Sequence, residues 1–95
     1  MLTPKMIRRI KSALSAEKPT VRIGKEGATA EIVGEVEKQL KVREIIKVKI
    51  LKTALHEQEA LEAKNIASTV AQQAEAELVD VRGHTFMLYK SKKKR

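Results

Sequence analysis

Gly24-Lys25-Glu26-Gly27 has the residue types and spacing to capture an anion. The glycines lack a Cβ, so the chain can take φ > 0 and a ligand can come close to the peptide groups. The stretch lies between a run that reads as a strand, Thr20 to Ile23, and one that reads as a helix from about Ala30. A helix turns unpaired N–H groups toward the loop before it, and its dipole favours phosphate there. Lys25 adds a mobile point charge. On a chain of net charge +8 the matching polyanion is nucleic acid. The plainer reading is a strand end, a turn and a helix start that bind nothing. The stretch is not a nucleotide-binding P-loop. Its glycine spacing is wrong, and Glu26 stands where Ser or Thr would hold magnesium.

Other cations fall into groups. Lys5, Arg8 and Arg9 share one side of the first predicted helix and can grip phosphates or simply be solvated. Arg22 sits beside the loop on the outward side of its strand. Lys47 and Lys49 alternate with apolar residues, and a plain solvent-facing row explains them. Phe86 and Tyr89 are the only aromatics, too few for a base-stacking platform; both are expected to pack. His56 and His84 have no spaced partner for a metal. Glu57 and Glu59 beside His56 read as a charged helix surface, not as acid–base machinery. No catalytic residue, metal site, cofactor or small-molecule substrate is expected.

Ninety-five residues suit one domain that buries a core without staples. The lack of cysteine excludes disulfides and thiolate metal sites and fits a reducing compartment. No apolar run approaches the roughly 18 residues of a membrane span. The start, Met1 to Lys5, has no signal-peptide pattern. A cytoplasmic location follows as the expectation. Charge is segregated along the chain. Residues 1–25 carry seven basic and one acidic side chain, a net +6. Residues 26–52 carry six and five, a net +1. Residues 53–80 carry one and six, a net −5. Residues 81–95 carry six and none, a net +6. Such segregation steers association and attracts phosphate.

Seven elements position these residues. Thr3 caps a helix over about Pro4 to Ser15, with Met6, Ile7, Ile10 and Leu14 at helical spacing. After Pro19 comes the first strand, ending at Ile23. Thr29 caps a second helix over about Ala30 to Lys41, buried through Ile32, Val33, Val36 and Leu40. Gly34 within it implies a close helix contact or simple tolerance. Ile45 to Ile50 alternates with period two, with Ile46, Val48 and Ile50 inward. A third helix lies within about Gln58 to Ala76, buried through Ala63, Ile66, Ala67, Val70 and Ala74. Residues 51–57 carry no assignment. Leu78 to Arg82 and Thr85 to Tyr89 form a hairpin around Gly83-His84. Residues 1–90 then read as one domain and 91–95 as a basic mobile tail.

The order α-β-α-β-α-β-β predicts an α/β chain of the two-layer α+β kind, with a four-stranded mixed sheet. Right-handed crossovers make the first three strands parallel and the hairpin makes the fourth antiparallel. The second and third helices cover one face. The first lies beside them or against the other face.

The residues also carry a resemblance. Leu2 to Lys5, Lys18 to Gly27, Ile45 to Ile50 and Val79 to Lys90 together resemble a CRM domain, the chloroplast RNA splicing and ribosome maturation domain. The chain is similar to its stand-alone prokaryotic members over nearly its whole length. The resemblance implies a fold like the C-terminal domain of translation initiation factor three, with sheet order 1-2-4-3. It implies RNA binding on precursors of the large ribosomal subunit, with the glycine loop used as in KH domains. It points to Gly24, Lys25, Glu26 and Gly27, with Arg22, Lys5, Arg8, Arg9 and Lys18, as the RNA-binding residues. Two features depart from the family: Glu26 at the loop tip, and a long connection over Lys52 to Ala60.

The expectation is a monomeric, non-enzymatic RNA-binding protein of ribosome assembly. The alternatives are an Alba-like chromatin or nucleic-acid-coating protein and a protein-interaction module using the acidic third helix. The Alba-like reading needs a dimer and a long basic hairpin, where this chain has a turn of about two residues. A hydrolase built on His84 has no nucleophile or base to support it.

Overall fold

A computed structural model describes residues 2–52, 55 and 59–91. The elements are α1 (Pro4–Ser15), β1 (Val21–Ile23), α2 (Ala30–Val42), β2 (Ile45–Ile50), α3 (Glu59–Gln73), β3 (Glu77–Arg82) and β4 (Thr85–Tyr89). Both expected caps form. Thr3 Oγ1 accepts from Met6 N–H at 3.1 Å, and Thr29 Oγ1 from Ile32 N–H at 3.2 Å. The reading of His56 and Glu57, and of the basic tail from Lys92 onward, lies outside the described residues.

The strands form one sheet of order β1-β2-β4-β3. β1 pairs parallel with β2, and β4 is antiparallel to both β2 and β3. Strands β1, β2 and β3 therefore run the same way, with β4 inserted between the last two. Gly83 takes φ 55 at the first position of the two-residue β3–β4 turn, as a II′ hairpin requires.

One face of the sheet holds the main core. Val21, Ile23, Ile46, Val48, Ile50, Phe86 and Leu88 meet Val33, Val36 and Leu40 of α2 and the alanine-rich side of α3. Small side chains let α3 lie close to the sheet. Leu55, from the unassigned connection, is buried in the same core. A Cβ on Gly34 would meet nothing within 4 Å, so that glycine is tolerated and marks no close helix contact.

Helix α1 packs on the opposite face, which adds a partial third layer to the expected two. Ile10 and Leu14 bury against Met87, with Leu2, Ile45, Val79 and Tyr89 around them. A register shift between Leu78 and Asp80 re-sorts the faces of β3 beneath it. Val79 faces α1 opposite inward Leu78 by ordinary alternation; the extra residue breaks the alternation after it, so Asp80 joins the α1 face and Val81 returns to the main core. Strand β3 also begins at Glu77, one residue before the expected start.

Three polar ties hold α1 and its exit. Lys47 Nζ donates to the carbonyls of Leu14, Ser15 and Glu17 at 3.0, 3.3 and 2.9 Å. This ammonium caps the helix C-terminus, where the dipole favours a cation. Lys11 lies 3.6 Å from Asp80 on β3. Arg43, at the end of α2, donates to both oxygens of Glu17 at 2.8 and 3.2 Å. That fork holds the Glu17 carboxyl below its ordinary pKa.

Candidate nucleic-acid interface

The loop at the end of β1 is a tight turn. Gly27 N–H donates to Gly24 C=O at 2.9 Å, closing a four-residue β-turn with Lys25 and Glu26 at its exposed tip. Gly27 sits at φ 75, a region that favours glycine. Its carbonyl accepts from Thr29 N–H at 2.9 Å, and Thr29 then caps α2. The turn thus delivers the chain directly into a 13-residue helix.

Gly24 differs from Gly27. Its φ is not in the left-handed region, and a Cβ there would meet nothing within 4 Å. The fold therefore does not require glycine at position 24. What the missing Cβ leaves is open access to the backbone. Gly24, Lys25, Glu26 and Gly27, with Thr29, Glu31 and Ile32, line a depression of about 270 Å³ at the head of α2. Helix α2 contributes its positive dipole end to this depression. Lys25 adds a full positive charge, while Glu26 and Glu31 place two carboxylates on the rim.

The other expected residues are exposed. Arg22 alternates with buried Val21 and Ile23, so it points to the sheet face that carries α1. Lys5, Arg8 and Arg9 are on the exposed side of α1, and Lys18 is exposed in the segment leading to β1. None of these five cations makes an ion pair among the described residues. The structure brings Arg22 beside the loop; Lys5, Arg8 and Arg9 share its side of the sheet at a separate element.

Lys47 and Lys49 part company. Lys47 spends all three donors on the end of α1, so it is a structural cap. Lys49 is exposed and free of any ion pair among the described residues. Phe86 is fully buried and Tyr89 packs beside α1, as expected. No cluster of three metal-ligating side chains occurs among the described residues, and no described helix is long and apolar enough to cross a membrane.

Known proteins are similar to this chain. A probable RNA-binding protein of Methanocaldococcus jannaschii is 39% identical over 89 residues, which are 94% of this chain and 63% of that protein. The chain thus spans less than two thirds of that archaeal relative. A probable RNA-binding protein of Bacillus subtilis is 32% identical over 94 residues, 98% of this chain and 92% of the relative. The solution structure of a hypothetical protein of Staphylococcus aureus, described as a candidate RNA-binding protein, superposes with a TM-score of 0.80. It is 29% identical, and the match covers 99% of this chain and 93% of that one. The family model for the CRS1 / YhbY (CRM) domain matches residues 2–90, a span that holds the glycine loop, all four strands and all three helices, and the chain belongs to that family.

Proposed function

We propose that this chain is a non-enzymatic RNA-binding protein that holds ribosomal RNA in large-subunit precursors during ribosome assembly. It acts as a cytoplasmic monomer and grips backbone and shape, with no stacking platform. The contacts are the Gly24–Gly27 loop and the basic side chains of Lys5, Arg8, Arg9, Lys18 and Arg22. Membership of the CRM family supports RNA as the partner, and so do the names of the relatives. The two-residue β3–β4 turn leaves no long basic hairpin of the Alba-like kind.

The observation that carries the reading is the depression at the head of α2, where Lys25 and the Gly24–Gly27 backbone meet. An open backbone beside Lys25 and the head of α2 serves a ligand. The test is titration of ribosomal RNA fragments with loop variants. Changing Lys25 and Glu26 together to aspartate puts negative charge where phosphate sits, and affinity falls strongly. The exposed tip keeps stability within about 0.5 kcal/mol of the parent. Glu26→Lys tightens binding. Gly24→Ala leaves the melting curve in place and weakens binding, whereas Gly27→Ala is strained and destabilises. A folded double variant that binds like the parent removes the loop from the interface.

A further inference from the structure

The strand register places a row of cations across the loop end of the sheet. Arg22 on β1 is the partner of Lys49 on β2. Lys49 is opposite Thr85 on β4, and Thr85 is opposite Arg82 on β3. All four lie in one line on the face that carries α1, two residues before Gly24 on β1. Helix α1 stops short of this line. Its C-terminus sits on Lys47, one row back, and its apolar residues cover Ile45, Met87, Val79 and Tyr89. Arg22 and Lys49 are exposed, and the Arg82 side chain is 62% exposed.

Strands are about 4.8 Å apart, so the row from β1 to β3 spans about 14 Å. Among the described residues one carboxylate pairs with its cations. Asp80 lies 3.3 Å from Arg82 Nε and 3.6 Å from Lys11, so two cations share it. Arg22, Lys49, Arg82 and Lys11 against Asp80 leave the patch at +3. The half-buried Thr85 hydroxyl in the middle adds a neutral donor. Like charges on neighbouring strands repel and lower sheet stability. A polyanion lying across them removes that cost, and charge complementarity selects a phosphate backbone as the occupant.

We propose that the open sheet face beside the loop, through Arg22, Lys49, Thr85 and Arg82, is a second phosphate-binding surface over which the RNA backbone continues from the Gly24–Gly27 turn. The inference rests on the RNA-binding reading above and adds Lys49 and Arg82 to the interface. It separates two lysines of one strand: Lys49 binds and Lys47 holds the fold.

The experiment compares four proteins on one labelled ribosomal RNA fragment across a salt series: the parent, the Lys25/Glu26 double aspartate variant, a triple variant (Arg22→Gln, Lys49→Gln, Arg82→Gln) and Lys47→Gln. Each lost phosphate contact lowers the slope of log affinity against log salt by about 0.7 to 0.9, so the triple variant loses about 2 to 3 in slope. Its affinity near 0.1 M salt falls about tenfold or more, while its melting curve stays with the parent's because all three side chains are exposed. Lys47→Gln lowers the melting temperature and leaves the slope in place. Should the triple variant melt early, a conservative pair, Arg22→Lys with Arg82→Lys, must keep the parent slope and Lys49→Gln alone must lower it. A folded triple variant with the parent's slope overturns the sheet surface; if the loop variant has meanwhile lost binding, the RNA reading itself stands. A parent without salt-dependent affinity overturns both.

Discussion

Replacing Lys47 by methionine removes three hydrogen bonds and a cation from the end of α1. A charged donor to backbone carbonyls at a helix C-terminus contributes about 1–2 kcal/mol. The apolar stem of the lysine is conserved in the change, so packing is not the cause. For a domain of this size the expected loss is about 5–15 °C in melting temperature. RNA affinity at temperatures where the variant is folded stays at the parent value. Unchanged melting with lost affinity would instead make Lys47 a phosphate contact. Arg43 and Glu17 act nearby in the same sense, since their fork ties the exit of α1 to the end of α2. Both groups are at the surface, where such pairs are screened and weak.

Helix α3 ends against convention. Glu75 takes φ 57, where glycine is the usual residue. Ala76 N–H bonds Ala71 C=O at 2.8 Å and Glu75 N–H bonds Gln72 C=O at 3.2 Å, the two bonds of a Schellman motif. Lys90 Nζ adds a third tie, donating to Ala74 C=O at 3.0 Å. The motif turns the chain at once into β3, so the strained position is kept by its surroundings. Glu75→Gly relieves the left-handed cost and removes a carboxylate from the negative end of a helix. The expected gain is about 1 kcal/mol, or about 4–8 °C in melting temperature. Thermal unfolding by circular dichroism decides, and a drop in melting temperature would show that Glu75 supports the turn. By comparison α1 is lightly held, with Ile10, Leu14 and Met87 as its buried cluster against the large one under α2 and α3. Its capping by Lys47 matters more for that reason.

Across the whole molecule, charge is sorted by element and not spread evenly. The first 25 residues and residues 81–95 each carry +6, while residues 53–80 carry −5. Such an array binds a polyanion with an affinity that falls linearly in log salt. Deleting Lys92 to Arg95 removes four positive charges and lowers the salt slope by up to about 3 to 4. The loss is broad across RNA sequences, because backbone charge carries no sequence information. Titration of unrelated RNA fragments with the truncated and full chains checks it. A slope equal to the parent's would place the tail outside the interface, and a large fall in melting temperature would make it part of the fold.

Local chemistry was legible in the sequence. Thr3-Pro4 and Thr29 marked helix starts, the alternation from Ile45 to Ile50 marked β2, and Gly83 marked the hairpin, because caps, period-two patterning and positive φ depend on a few adjacent residues. The glycine loop was legible for the same reason, as was the outward side of Arg22. Only the tertiary structure decided what crosses from one element to another. The place of Asp80 beside α1 and of Val81 in the main core depended on a bulge between Leu78 and Asp80 that no alternation in β3 announces. The different fates of Lys47 and Lys49 depended on where a helix 32 residues away ends, since identical side chains on one strand face differ only in what lies above them. The row from Arg22 to Arg82 exists because pairing brings four strands into register, a fact about hydrogen-bonded neighbours and not about neighbours in the chain.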